Sequence, residues 1–129
     1  MGHLGGALRV VRATERVAAA AQTPGMFREE ALATGTLWSG IARTSPGNVS
    51  GWHHHAAWDT VAFVLAGACR LEGGAGGATV LLAEPGDYLF IPGGVVHRES
   101  NPSDVEQVLV VVRVGEGPVL VPVDGPPAA

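Results

Sequence analysis

The sequence predicts an all-β domain, built as a sandwich or closed barrel from about eight short strands. Turn-forming Gly and Pro, 19 and 9 in number among 129 residues, recur between short apolar and β-branched runs along the whole chain. No long amphipathic helical pattern interrupts those runs. The length fits one domain that can enclose a substantial core.

The N-terminal part, residues 1–34, is predicted to form an arm that contributes an edge strand. The run of Leu, Val and Arg at 8–12 is the candidate strand, and the Ala-rich stretch at 14–21 favours a helical turn. A Thr-Pro-Gly sequence at 23–25 ends that turn, because Pro and Gly interrupt regular structure.

The barrel itself is predicted over 35–123, with a C-terminal tail at 124–129. Turn signals bound the apolar runs: Ser-Pro-Gly-Asn, a flexible Gly-rich hairpin loop, Glu-Pro-Gly-Asp and Pro-Gly-Gly follow one another along the chain. The longest run is rich in Val and therefore favours a strand. The predicted strands lie at 35–43, 60–65, 68–71, 79–82, 88–91, 105–114 and 119–123.

Composition excludes several classes of function. The net charge is −4 with no basic patch, so we expect no binding to nucleic acid or to an anionic membrane surface. No apolar run reaches the length of about 18 residues that spans a bilayer. Lysine is absent, which excludes Schiff-base chemistry. The single cysteine, Cys69, is expected to be a buried thiol, and without a signal sequence we expect a cytoplasmic protein.

Two histidines one residue apart, His53 and His55, are the most informative feature of the chain. Alternate residues of a strand project to one face, so their imidazoles can lie side by side while His54 points away. His97 follows a Pro-Gly turn and can join them from a distant strand. Three such imidazoles would suit a divalent transition metal, and the sequence therefore predicts a metal site.

The three histidines belong to two longer patterns, Gly47-x5-His53-x-His55-x4-Thr60-x6-Gly67 and Gly86-x5-Pro92-x-Gly94-x2-His97-x3-Asn101. Together these resemble the two characteristic motifs of the cupin superfamily. The second motif matches at every position, and the first matches except at its glutamate. The resemblance covers residues 47–101 and implies a double-stranded β-helix (jelly roll) with a metal near the barrel mouth. Asn101 precedes a proline and resembles a turn former, not a ligand.

The departure at the glutamate leaves the ligand set open. Counting back from Gly67 places Thr60 in that position, but a neutral hydroxyl is a poor ligand for a divalent ion. Counting three residues on from His55 gives Asp59, which has the right charge and the same strand parity as the histidines. The predicted metal ligands are therefore His53, His55 and His97, with or without Asp59.

The resemblance implies a small metal-dependent enzyme acting on a small organic molecule in the barrel. Iron would favour dioxygenase-like oxidation, and zinc, manganese or nickel would favour isomerase- or lyase-like chemistry. The alternatives are a non-catalytic cupin that binds a metal or small ligand, and a structural cupin whose main role is association. A cupin that has lost its metal, with histidines that only form hydrogen bonds, is the interpretation without a metal site. Met26 and Arg28 could fold over the barrel mouth, although nothing in the sequence demands it.

We also expect a homodimer, formed through the apolar strand at 105–114 or through the N-terminal segment. Arg98 directly follows His97 and should face away from the metal on a regular strand. It is expected to pair with Glu99 or with another carboxylate.

Overall fold

The computed structural model describes residues 6–19 and 22–128. Eleven strands form one six-stranded sheet, in the order β1-β2-β3-β10-β5-β8, and one five-stranded sheet, in the order β11-β4-β9-β6-β7. All neighbouring strands are antiparallel. The strands are β1 Val17–Ala18, β2 Met26–Ala33, β3 Leu37–Thr44, β4 His53–His54, β5 Asp59–Ala66, β6 Cys69–Gly73, β7 Thr79–Ala83, β8 Tyr88–Ile91, β9 His97–Ser100, β10 Gln107–Val114 and β11 Val121–Pro122.

The apolar core lies between the two sheets. Alternation along the strands produces it: Leu109 and Val111 of β10 point inward, and Val110 between them is only partly buried. Cys69 is fully buried in this core, as expected. The core residues come from both sheets: Ala62, Val64, Cys69, Leu71, Ala83, Leu89, Ile91, Leu109 and Val111. These features confirm the predicted all-β sandwich.

Polar side chains occupy the two ends of the inward faces. Along β10, Gln107 and Arg113 flank the apolar pair, and both are buried. At the Gln107 end, Gly67 has a φ of +73°, and a Cβ there would lie 2.8 Å from the Gln107 Cα, so only glycine fits this turn. Buried polar side chains therefore lie at both ends of the apolar core, Gln107 at one end and Arg113 at the other.

Asn101 anchors the turn between β9 and β10. Its side chain is fully buried, and its Nδ2 donates to the carbonyl oxygens of Thr44 at 3.0 Å and of Val105 at 2.7 Å. Its Oδ1 accepts hydrogen bonds from the backbone N and the hydroxyl of Ser103. The expected role as a turn former is confirmed.

The N-terminal region differs from the prediction. Residues 8–12 lie outside any strand, and the edge strand is the short β1 instead. The expected helical turn is a single 3-10 turn, Ala13–Glu15, and residues 20 and 21 lie outside the described part. The larger difference is β2, which pairs with β3 along most of its length. Its polar Arg-Glu-Glu sequence gives little strand signal, so the pairing with β3 decides its conformation.

The topology also corrects the expected dimer contact. Strand β10 lies inside the six-stranded sheet, hydrogen-bonded to β3 on one side and to β5 on the other. Its backbone groups are therefore already used and cannot pair with a second copy. Among residues 6–19 and 22–128, no helix has the length and apolar character needed to cross a membrane.

Candidate metal centre

Three histidine side chains meet at one end of the core. His53 on β4 is the cross-strand partner of His97 on β9, and His55 follows β4 directly. The ring centroids lie 4.4 to 5.1 Å apart, and the candidate ligand atoms all lie within 4.8 Å of one another. Each side chain is buried, with 3 to 4% of its residue surface exposed. The structure thus brings together the three predicted histidines.

Local sequence explains how His97 reaches the site. Strand β8 ends at Ile91, because the next residue, Pro92, has no N–H to donate to the ladder. Gly94 then turns the chain with a φ of +76°, a conformation that residues with a Cβ rarely adopt. The backbone N of Val95 donates to the Pro92 carbonyl across this turn. Strand β9 begins two residues later with His97 pointing inward.

The hydrogen bonds of the three rings fix their tautomers. Each Nδ1 contacts a backbone carbonyl oxygen: His53 that of Gly51 at 2.8 Å, His55 that of Val119 at 2.6 Å and His97 that of Val95 at 2.9 Å. Since a carbonyl can only accept, each Nδ1 carries a proton, and the Nε2 of a neutral ring keeps its lone pair. Backbone carbonyls commonly orient metal-binding histidines in this way.

Two of the free ring nitrogens have no hydrogen-bond partner among the residues that the structure describes. Within the described part of the chain, His53 Nε2 and His97 Nε2 are buried and accept no hydrogen bond. A buried polar atom without a partner destabilises the folded state by about 1 to 3 kcal/mol. A metal ion coordinated by both nitrogens would remove that cost, so the donor set fits a divalent transition metal.

Burial also prepares the rings for this role. Desolvation lowers the pKa of His53, and desolvation together with the nearby Arg113 lowers the pKa of His55 to about 3. Both rings are therefore neutral at pH 7, and the neutral imidazole is the form that binds a metal.

The structure does not bring Asp59 into the cluster. A turn follows His55, in which Trp58 N donates to the His55 carbonyl and Ala56 has a φ of +50°. This turn ends the alternation that began at His53, and Asp59 starts β5 in the other sheet. Its exposed carboxylate accepts a hydrogen bond from Gly93 N at 2.8 Å. The set of four predicted ligands is therefore reduced to three histidines that converge.

Thr60, the other candidate for the position at which the first motif has a glutamate, points into the core. It is 4% exposed, and its Oγ1 accepts a hydrogen bond from Arg113 Nε at 3.3 Å. Its hydroxyl is thus the hydrogen-bond acceptor of Arg113 on the neighbouring strand β10.

The sequence interpretation missed Glu99 as a residue of the site. It lies two positions after His97 on β9, and its side chain lines a cavity that His55 also lines. Burial by itself would raise the pKa of Glu99, while the nearby cation Arg28 lowers it. The signal was present in the sequence, because His97-x-Glu99 has the same spacing as His53-x-His55.

Arg98, between these two residues, points away from the site as expected. Its guanidinium forms two hydrogen bonds of 3.0 Å with the carboxylate of Glu72 and lies over the ring of Trp52. Its partner is therefore another carboxylate and not Glu99.

Two adjoining cavities open beside the cluster, and Arg28, His55 and Arg113 line both of them. The larger has a volume of about 230 Å³. Met26 lines the smaller one, so the segment expected at the barrel mouth contributes side chains to this wall from strand β2. The additional residues that line the larger cavity are Ala19, Glu30, Trp38, Val119 and Leu120.

Comparison with solved structures shows the same fold in several proteins. A Klebsiella pneumoniae protein with a double-stranded β-helix domain superposes with a TM-score of 0.71 at 18% identity, over 92% of this chain and 99% of that chain. KdgF from Halomonas sp. gives 0.67 at 20% identity, over 84% and 94%. A variant of Bacillus subtilis oxalate decarboxylase gives 0.68 at 17% identity, over 80% of this chain but 29% of that chain.

At these identities the structural likeness shows the fold alone, which is the double-stranded β-helix predicted from the motifs. No curated protein matches the sequence. Residues 40–113, more than half of the chain, match the family described as Cupin domain. With both motifs, the jelly-roll sheets and this match in agreement, the chain belongs to the cupin family.

Proposed function

We propose that this cupin binds one divalent transition metal ion through Nε2 of His53, His55 and His97, and that it acts as a metal-dependent enzyme on a small organic molecule. The observation that supports the proposal is the pair of buried Nε2 atoms that lack any partner in the described residues. Because all three Nδ1 atoms contact carbonyl oxygens, the opposite nitrogens are the ones available to an ion.

Three protein ligands would leave coordination positions open, and the bound metal would supply Lewis-acid or redox chemistry there. Iron, zinc, manganese and nickel all suit a set of three imidazoles, so the proposal includes all four metals. Oxalate decarboxylase, by its name, is an enzyme, so this fold is compatible with catalysis.

Within the site, Glu99 is the carboxylate proposed to accept a proton. The nearby cation Arg28 favours the ionised form of this carboxylate. It lines the smaller cavity together with His55, so an organic molecule bound there would lie beside a proton acceptor.

Elemental analysis of His97→Ala tests the metal site, with His54→Ala as the matched control. His54 adjoins the cluster, but its Nδ1 accepts a hydrogen bond from Ala56 N instead of facing the other rings. We expect about one transition metal ion per chain in the wild type and in His54→Ala, and almost none in His97→Ala. Metal at 100 times its Kd should also stabilise the wild type by about 2.7 kcal/mol.

Equal metal content in all three proteins, or a wild type that takes up no added ion, would overturn the metal assignment. A loaded protein that consumes no small organic substrate in a metal-dependent way would instead indicate a binding cupin.

A homodimer and a cytoplasmic location stay predictions for this protein. Strands β7 and β8 lie at edges of the two sheets and carry exposed Leu81, Leu82, Tyr88 and Phe90, an apolar surface that a second copy could cover. Analytical ultracentrifugation tests the dimer, and a monomer at micromolar concentration would contradict it.

A further inference from the structure

We propose that the larger cavity binds a small organic carboxylate, whose carboxylate group is held by Arg28 and Arg113 and whose apolar part contacts the apolar residues of the cavity lining. Such a ligand would be the substrate class of the proposed enzyme. The inference rests on the proposed function only for the metal ion that would lie beside the cavity.

Arg28 and Arg113 are buried cations, 9% and 6% exposed. In the part of the chain that the structure describes, neither guanidinium has a carboxylate oxygen within 4.0 Å. Each forms a single long hydrogen bond to a threonine hydroxyl: Arg28 to Thr23 at 3.5 Å and Arg113 to Thr60 at 3.3 Å. A guanidinium has five N–H donors, so most donors of both side chains lack acceptors from the protein.

Acidic side chains near the cavities do not satisfy these donors. Glu30 lines the larger cavity, but its Oε1 accepts a hydrogen bond from Trp38 Nε1 at 2.8 Å. Glu99 lines the smaller cavity and interacts with both arginines only beyond ion-pair distance. Neither carboxylate therefore supplies an acceptor within ion-pair distance of the two guanidinium groups. A divalent ion at the cluster would make the pocket cationic.

The geometry of an arginine favours a carboxylate as the missing acceptor. The planar fork of N–H groups matches two oxygens of a carboxylate with two parallel hydrogen bonds. Arg113 is held over the ring of Trp38, with its Cζ 5.3 Å from the ring centroid, which restricts the orientation of the fork. Burial lowers the pKa of Arg113 to about 10, so it remains a cation at neutral pH.

The rest of the lining sets the size and character of the ligand. Ala19, Val119 and Leu120 add apolar residues to the lining of the cavity. Its volume of about 230 Å³ lies below the roughly 300 Å³ at which drug-sized pockets begin, so the ligand is a small acid. His55 lines the same cavity, so a molecule held by the arginines would extend to the metal ligands.

Calorimetric titration with propionate, hexanoate and benzoate tests the proposal, with the corresponding neutral amides and inorganic phosphate as comparisons. We expect at least one carboxylate to bind saturably, and its amide to bind at least tenfold more weakly. Arg28→Gln and Arg113→Gln should each raise the Kd at least tenfold. The matched control is Arg70→Gln, since Arg70 is an exposed arginine of β6, and it should leave the Kd unchanged.

Several outcomes would overturn the proposal. They are the absence of binding by all three carboxylates, equal binding of acid and amide, tighter binding of phosphate, and equal Kd values in the wild type and both cavity variants. Circular dichroism establishes that each variant is folded. If Arg113→Gln does not fold, Arg113→Lys, which keeps the charge but loses the fork, and Arg28→Gln decide the question.

The metal content of each protein is measured in the same experiment, which separates the two proposals. Arginine-dependent carboxylate binding by a protein that takes up no metal supports the carboxylate site and overturns only the metal assignment. Metal-loaded protein that binds none of the three carboxylates supports the metal assignment and overturns only the carboxylate site.

Discussion

His53 and His97 are direct cross-strand neighbours in the five-stranded sheet, with imidazole centroids 4.4 Å apart. The two residues belong to different motifs, and the ladder between β4 and β9 is what joins them. Because the backbone pairing sets their distance, the rings are already close together before any ligand is bound.

The tautomers can be tested directly by nitrogen-15 NMR of metal-free protein at pH 7. We expect a proton on Nδ1 of His53, His55 and His97, because each Nδ1 contacts a carbonyl oxygen. For His53 and His55 we expect the neutral ring, because burial lowers both pKa values. Histidine in solution prefers the other tautomer, so the signature is distinctive. A proton on Nε2 in any of the three rings would contradict the proposed donor set.

Asp59→Asn should leave metal binding unchanged. The amide oxygen of Asn can still accept the hydrogen bond from Gly93 N, so we expect a change in unfolding free energy of less than about 0.5 kcal/mol. Asp59→Ala removes the acceptor and should cost about 1 kcal/mol, again without loss of metal. Metal titration and urea denaturation measure both effects. A tenfold loss of metal affinity in the Asn variant would restore Asp59 as a ligand.

The stability of metal-free protein should fall as the pH drops from 6.5 to 5. Burial lowers the folded-state pKa of His55 from 6.5 to about 3, and that of His53 is lowered as well. Below pH 6.5 these rings protonate in the unfolded chain while they stay neutral in the folded one, so protons favour unfolding. Each ring can contribute a slope of up to about 1.4 kcal/mol per pH unit.

Urea denaturation at several pH values measures this slope, and His55→Asn is the control. The Asn amide can donate to the Val119 carbonyl in place of the ring but does not titrate. The window stops at pH 5 because carboxylates begin to titrate below it. A stability that is independent of pH in this range, or the same slope in the control, would contradict the prediction.

Asn101→Ala should destabilise the protein by about 2 to 4 kcal/mol without changing its metal content. The substitution removes the Nδ2 donor from the buried Thr44 carbonyl and one of the two side-chain donors from the Val105 carbonyl. Ser103→Ala, at the exposed side of the same network, should cost about 1 kcal/mol. Chemical denaturation gives both values. Loss of metal from folded Asn101→Ala would show that this residue belongs to the metal site.

Sequence spacing predicted the fold and the three histidines, because both depend on local rules. Strand alternation relates His53 to His55, and the Pro-Gly turn returns the chain at His97. The same rule failed at Asp59, since the turn at Ala56 separates it from the histidines. Parity arguments hold only within one uninterrupted strand.

Non-local contacts explain the rest of what the sequence did not reveal. Strand β2 has a polar sequence, and its pairing with β3 makes it part of the sheet. The arginines Arg28 and Arg113 lie 85 positions apart in the numbering (113 − 28) and come from strands that are not neighbours, yet they line one cavity. A single sequence carries no signal for such a pairing.

Strand β2 also determines where the minimal folding unit begins. A shortened chain starting at Gly35 would expose the edge of β3 along its length and would lose Arg28 from the cavity wall. An unprotected edge of this kind recruits other strands and promotes aggregation. Expression plasmids for this cupin should therefore retain the residues before the predicted barrel boundary, although the family match starts only at residue 40.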